Sequence, residues 1–125
     1  MNGARRVLVV DDEPQVVWVI RFGLESEGYD VATARDGVEA LEQVVEHHPE
    51  LMVLDVMMPR MDGWTVLREL AKLPQSDRPA VVMVTALASA EDRARAFELG
   101  AAAYVPKPFD IQELLQVVVG LQEAS

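Results

Sequence analysis

Val7-Leu8-Val9-Val10-Asp11-Asp12-Glu13-Pro14 is the stretch from which the architecture follows. Its first four residues are apolar and mostly β-branched, the pattern of a strand buried on both faces. Two carboxylates come directly after them, and then a proline whose fixed φ suits the first turn of a helix. A strand therefore passes into a helix through a short acidic loop. Beyond Pro14, the residues Val16, Ile20, Gly23 and Leu24 fall on one side at about 100° per residue, and Gly28 suits a helix C-terminus.

The same alternation recurs along the chain. Short apolar runs at 29–34, 51–54, 80–85 and 103–105 read as four more strands. Helical stretches separate them. One follows Asp36-Gly37 and carries Val38, Leu41 and Val45; the next starts near Thr65, runs through Leu67 and Leu70, and stops before Pro74. Ser89 with Asp92, and Asp110 with Glu113, have capping-box spacing and open a fourth and a fifth helix, the last ending near Leu121. Strands that alternate with helices form a parallel sheet covered on both faces, and such doubly wound sheets place ligands beyond the carboxyl ends of their strands.

The whole of residues 1–125 is expected to form one α/β domain, with half its residues hydrophobic. Eleven Lys and Arg against 21 Asp and Glu leave a net charge of -10. Direct binding to nucleic acid or insertion into an anionic membrane would work against that charge, and no apolar run approaches the about 20 residues of a spanning helix. There is no cysteine, which excludes thiol chemistry and thiolate metal sites and is compatible with the cytoplasm.

At the strand ends lie Asp11 and Asp12, Asp55, Thr85 and Lys107. Three carboxylates on neighbouring strands repel one another by about 1 to 4 kcal/mol per pair, depending on the dielectric, unless a cation lies between them. Oxygen donors of this kind favour Mg²⁺, with Mn²⁺ as the alternative, over Zn²⁺. One of Asp11 and Asp12 could instead cap the first helix, whereas Asp55 follows its strand with no helix start to cap. Thr85 and Lys107 taken singly read as a strand residue and a solvated cation.

The segments 7–14, Asp55-Val-Met-Met-Pro59-Arg-Met-Asp62-Gly63, Thr85-Ala86 and Tyr104-Val-Pro-Lys107-Pro108-Phe109 together resemble the receiver domain of bacterial two-component response regulators. The resemblance implies a flavodoxin-like (βα)5 doubly wound sheet with strand order 2-1-3-4-5. It implies a signalling domain rather than an enzyme. Asp55 would accept a phosphoryl group from the phosphohistidine of a sensor histidine kinase or phosphotransfer protein. Asp11, Asp12, Asp55 and the Met57 backbone carbonyl would hold Mg²⁺, while Thr85 and Lys107 would stabilise the phosphoryl group. Thr85 and Tyr104 would act as the switch, the aromatic ring moving inward and altering the surface of helix four, strand five and helix five. That surface would signal to a downstream output domain or protein and is the candidate face for a homodimer. A cis peptide before Pro108 would aim Lys107 back into the pocket.

Two other readings stand beside this one. A receiver-like module working without phosphorylation would dispense with Asp55, Thr85 or Lys107, yet all three are present. An aspartate-nucleophile phosphohydrolase would need an acid two positions after its nucleophile, where this chain has Met57. A nucleotide or flavin protein is poorly supported, because Asp11-Asp12 occupies the place of a Gly-rich phosphate loop. His47 and His48 read as solvated surface and Trp64 as core. Trp18 and Phe22 point away from the buried side of the first helix, four apart, and form a candidate docking face for a partner.

Overall fold

A computed structural model describes residues 5–124; residues 1–4 and Ser125, which the single-domain expectation includes, lie outside the described residues. Five strands, β1 (Arg6–Val10), β2 (Asp30–Ala34), β3 (Leu51–Leu54), β4 (Ala80–Thr85) and β5 (Ala103–Pro106), alternate with α1 (Pro14–Ser26), α2 (Gly37–His47), α3 (Gly63–Leu70), α4 (Ala90–Glu98) and α5 (Ile111–Ala124). All pairings are parallel, in the order β2-β1-β3-β4-β5. This is the flavodoxin-like sheet.

Because side chains alternate across a strand, each strand feeds two cores. Leu8, Val10, Met52, Leu54, Val81, Met83 and Tyr104 face one side and pack with Ala40, Val44, Trp64, Leu67 and Ala96 of α2, α3 and α4. Val7, Val9, Leu51, Val53, Val82, Val84 and Val105 face the other and pack with Ile20 and Leu24 of α1 and Leu114 and Val118 of α5. Each such side chain contributes about 1.5 to 3 kcal/mol by leaving water. A sheet enclosed in this way leaves polar side chains only its rims.

The helix boundaries follow capping chemistry. Gly28, at φ 92°, lies just past α1, where a left-handed residue ends a helix cheaply. Asp36 accepts from the Glu39 N–H and caps α2, and Ser89 accepts from the Asp92 N–H and caps α4. Asp62 caps α3 by accepting from the Thr65 N–H, so that helix begins at Gly63, two residues before its expected start. Asp110 accepts from the Gln112 N–H rather than forming a box with Glu113, and α5 continues past Leu121. Val45 stands outside the core at 68% exposure, because Ala40 and Val44 fill the space beneath α2. No helix among the described residues is long and apolar enough to cross a membrane.

Candidate functional site

The ladder carries the acidic residues to their places. The Asp11 N–H donates to the Ala34 carbonyl and the Asp55 N–H to the Val10 carbonyl, so both residues extend the strand register by one step beyond the apolar runs. Asp11 and Asp55 are buried and Asp12 is exposed, and one carboxylate oxygen of each lies within 4.8 Å of the others. That arrangement of oxygen donors fits a small divalent cation.

Lys107 reaches into the same cluster from the loop after β5. Its Nζ stands 2.9 Å from Asp11 Oδ2, 2.9 Å from Glu13 Oε1 and 3.0 Å from Asp55 Oδ2. The Lys107–Pro108 peptide is cis, and the Lys107 N–H donates to the Thr85 carbonyl at 2.8 Å, which fixes where the side chain starts. Burial alone would pull the ammonium's pKa down, but hydrogen bonds to Glu13, Asp11 and Asp55 outweigh it, and Lys107 is held above its ordinary range. Asp11 is pushed up chiefly by burial and by the Asp55 charge, against the Glu13 N–H and Lys107, which lower it. Three carboxylates sharing one ammonium, with Asp12 beside them, leave an excess of negative charge that a bound cation would relieve.

The two oxygens of Asp55 are differentiated. Oδ1 accepts from the Val56 N–H at 2.7 Å and, more weakly, from the Met57 N–H at 3.4 Å, while Oδ2 faces Lys107. Gly63 closes the loop beneath them: its N–H donates to the Val56 carbonyl at 2.8 Å, and a Cβ there would lie 2.4 Å from the Asp55 carbonyl oxygen. Close approach, not φ, is why glycine stands at the head of α3.

Thr85 is fully buried at the end of β4, and its Oγ1 accepts from the Leu87 N–H at 3.3 Å. The Tyr104 hydroxyl donates to the Leu87 carbonyl. Its ring is buried at 8% exposure, with the Arg93 guanidinium 5.3 Å from the ring centre. Trp64 is a core residue, as expected, with the Arg95 guanidinium 4.4 Å from its ring centre. Trp18 and Phe22 are exposed on α1 and stack on each other, centroids 5.3 Å apart and planes within 8°.

Sequence reading missed Glu13 as a partner of Lys107. Its signal was adjacency to Asp11-Asp12, but Pro14 directed attention to helix initiation. It also missed Arg60, whose Nε donates to Asp36 Oδ2 at 2.9 Å; a turn residue far from any strand end gives no periodic sign of such a contact.

Residues 7–119 match the family described as response regulator receiver domain. The chain belongs to that family. This receiver domain is 38% identical over 116 residues to the DNA-binding dual master transcriptional regulator RpaA of Synechocystis sp., covering 93% of the chain and 48% of the relative. It is 48% identical over 110 residues to the "Probable transcriptional regulator ycf27" of Cyanophora paradoxa, covering 88% and 45%. The receiver domain thus spans about half the length of these curated relatives. Among solved structures it is similar to a CheY-like response regulator receiver domain protein of Methanospirillum hungatei, with TM-score 0.90, 30% identity and coverage of 98% and 96%. It is also similar to the receiver domain of Francisella response regulator 1452, with TM-score 0.86, 33% identity and coverage of 97% and 99%. Membership supports a signalling role, the family being generally signalling rather than catalytic.

Proposed function

We propose that this receiver domain takes a phosphoryl group from the phosphohistidine of a sensor histidine kinase or phosphotransfer protein onto Asp55, in a Mg²⁺-dependent reaction in the cytoplasm. The observation that carries this reading is Lys107 Nζ, 3.0 Å from Asp55 Oδ2 at a buried strand end where Asp11 and Asp12 converge. In the transfer an Asp55 oxygen forms a bond to phosphorus as the phosphorus–nitrogen bond to histidine breaks, and the histidine leaves with the electron pair. Positioning and charge neutralisation carry most of such a reaction. Asp11, Asp12, Asp55 and the Met57 carbonyl would hold Mg²⁺, which supplies positive charge to the phosphoryl oxygens when bound. Val56 and Met57 N–H groups orient the nucleophile, and Lys107 balances the charge that arrives.

The switch in this reading begins at Thr85. Its hydroxyl turns from the Leu87 amide to a phosphoryl oxygen, so the loop before α4 loses one tie while Tyr104 still grips the Leu87 carbonyl. Tyr104, tied to the Leu87 carbonyl, follows that loop inward beneath Arg93 and so alters the surface of α4, β5 and α5. That surface addresses an output domain or partner protein and is where a homodimer would form. The name of the Synechocystis relative describes DNA binding; in the present chain that task would fall to an output partner and not to this acidic domain. Trp18 and Phe22, on the helix that starts directly after the Asp11-Asp12 loop, form the docking face for the kinase. Acetyl phosphate with Mg²⁺ tests the reading by adding one phosphoryl group to the parent protein.

A further inference from the structure

The loop from Asp55 to Gly63 is tied to the head of α2 by three contacts that none of the roles above uses. Arg60 Nε donates to Asp36 Oδ2 at 2.9 Å. The Gly37 N–H donates to the Met61 carbonyl at 3.1 Å. Gly37 leaves no space between the segments, since a Cβ there would stand 2.6 Å from the Met61 carbonyl oxygen and 2.7 Å from Met61 Cγ. Asp36 is itself buried and fixed, its Oδ1 accepting from the Glu39 N–H at 2.9 Å as the cap of α2.

Arg60 holds this contact in an unfavourable backbone. Its φ is 65°, in the left-handed region, and the Met61 N–H donates to the Pro59 carbonyl at 2.7 Å, bridging two residues in a γ-turn. A residue other than glycine, asparagine or aspartate in such a turn is strained and persists where its surroundings over-determine it. Glycine would relax that turn, yet arginine alone supplies the guanidinium that meets Asp36. Between this pinned turn and Asp55 lie Val56 and Met57, whose N–H groups hold Asp55 Oδ1, and the Gly63 N–H on the far side of the turn donates to the Val56 carbonyl.

We infer that Arg60 and Asp36 form a positioning pair: their bridge pins the β3–α3 loop to α2 and thereby sets the orientation of the Asp55 carboxylate for phosphoryl transfer. The inference rests on the reading of Asp55 as the phosphoacceptor. Neither residue touches the reacting atoms; both act through the Val56 and Met57 amides.

The test compares Arg60→Gly, Arg60→Lys and Asp36→Asn with the parent, by Asp55 labelling with acetyl phosphate and Mg²⁺ over a range of donor concentrations and by amide NMR without metal. Arg60→Gly removes the bridge while relieving the turn. Asp36→Asn keeps a competent helix cap while removing the charge. Both are expected to label about tenfold more slowly at saturating donor with half-saturation unchanged, and to shift the Val56 and Met57 amide signals. Arg60→Lys restores most of both readouts, and the double variant Arg60→Gly with Asp36→Asn is no slower than either single one. Parental rates and amide positions in Arg60→Gly and Asp36→Asn, or losses that multiply in the double variant, overturn the inference. A parent that does not label overturns the reading of Asp55 instead, while the amide comparison still reports whether the bridge sets the loop.

Discussion

Glu13 Oε1 stands 2.9 Å from Lys107 Nζ, a contact that spans 94 positions of sequence and joins the head of α1 to the loop after β5. Glu13 is the N-cap residue of α1, yet its side chain caps nothing; it is spent on the ammonium. The contact is half open to solvent on the Glu13 side, so Glu13→Gln should cost less than about 1 kcal/mol of stability. Lys107 is raised, so its contribution is fully present below the unfolded value of about pH 10.4 and is lost as the pH climbs through the higher folded value. Glu13→Gln lowers that folded value and shrinks the alkaline loss. Chemical unfolding of both proteins across the alkaline range checks this; an unchanged alkaline slope contradicts the pairing.

Asp36 has the opposite sign. The Glu39 N–H and then the Arg60 guanidinium hold its carboxyl below the ordinary range. Its stabilisation is therefore present above the unfolded value of about pH 3.9 and is lost as the pH falls through the depressed folded value. Asp36→Asn, which keeps the cap but cannot ionise, should flatten the acid limb of the stability profile. An acid limb as steep as the parent's would show that Asp36 is not the group responsible.

Glycines separate close packing from open space. Gly120, inside α5, has nothing within 4 Å of an added Cβ, so Gly120→Ala should stabilise by about 0.5 to 1 kcal/mol. Gly23 in α1 has Ile111 Cγ1 at 2.9 Å from such a Cβ, and Gly23→Ala should gain less than Gly120→Ala. Denaturant midpoints order the two; the reverse order would contradict the packing of α1 on α5.

The strand runs were legible because burial on both faces demands unbroken apolar residues, as in Leu51–Leu54. The polar residues that follow them stood out for the same reason, which is how Asp11, Asp55, Thr85 and Lys107 could be picked from sequence. Contacts made between loops left no such trace. Arg60 and Asp36 are 24 positions apart, and no period connects them. Glu13 is visible in sequence as a neighbour of Asp12, but which way its side chain turns depends on Lys107 arriving from the far end of the chain. The start of α1 was marked by Pro14 and those of α2 and α4 by Asp36 and Ser89, whereas α3 was placed late although Asp62 caps it.

The stacked pair on α1 gives a prediction about partners. Trp18 and Phe22, 65% and 60% exposed, present a rigid aromatic face beside the acidic loop, the kind of anchor that carries binding energy in protein contacts. Trp18→Ala with Phe22→Ala should slow phosphotransfer from the cognate kinase by about tenfold or more, the loss expected from two anchor residues, and leave labelling by acetyl phosphate nearly unchanged. Parallel kinetics with the two donors measure it. Equal loss with both donors, or none with the kinase, contradicts the docking role.

The central claim is that Asp55 is the residue phosphorylated, with a divalent cation required. Intact-mass spectrometry after incubation with acetyl phosphate measures this most directly, run on the parent with Mg²⁺, on the parent with a chelator, and on Asp55→Asn with Mg²⁺. The account predicts one added phosphoryl group in the first sample and none in the other two. Equal labelling of Asp55→Asn, or labelling that survives chelation, would contradict it.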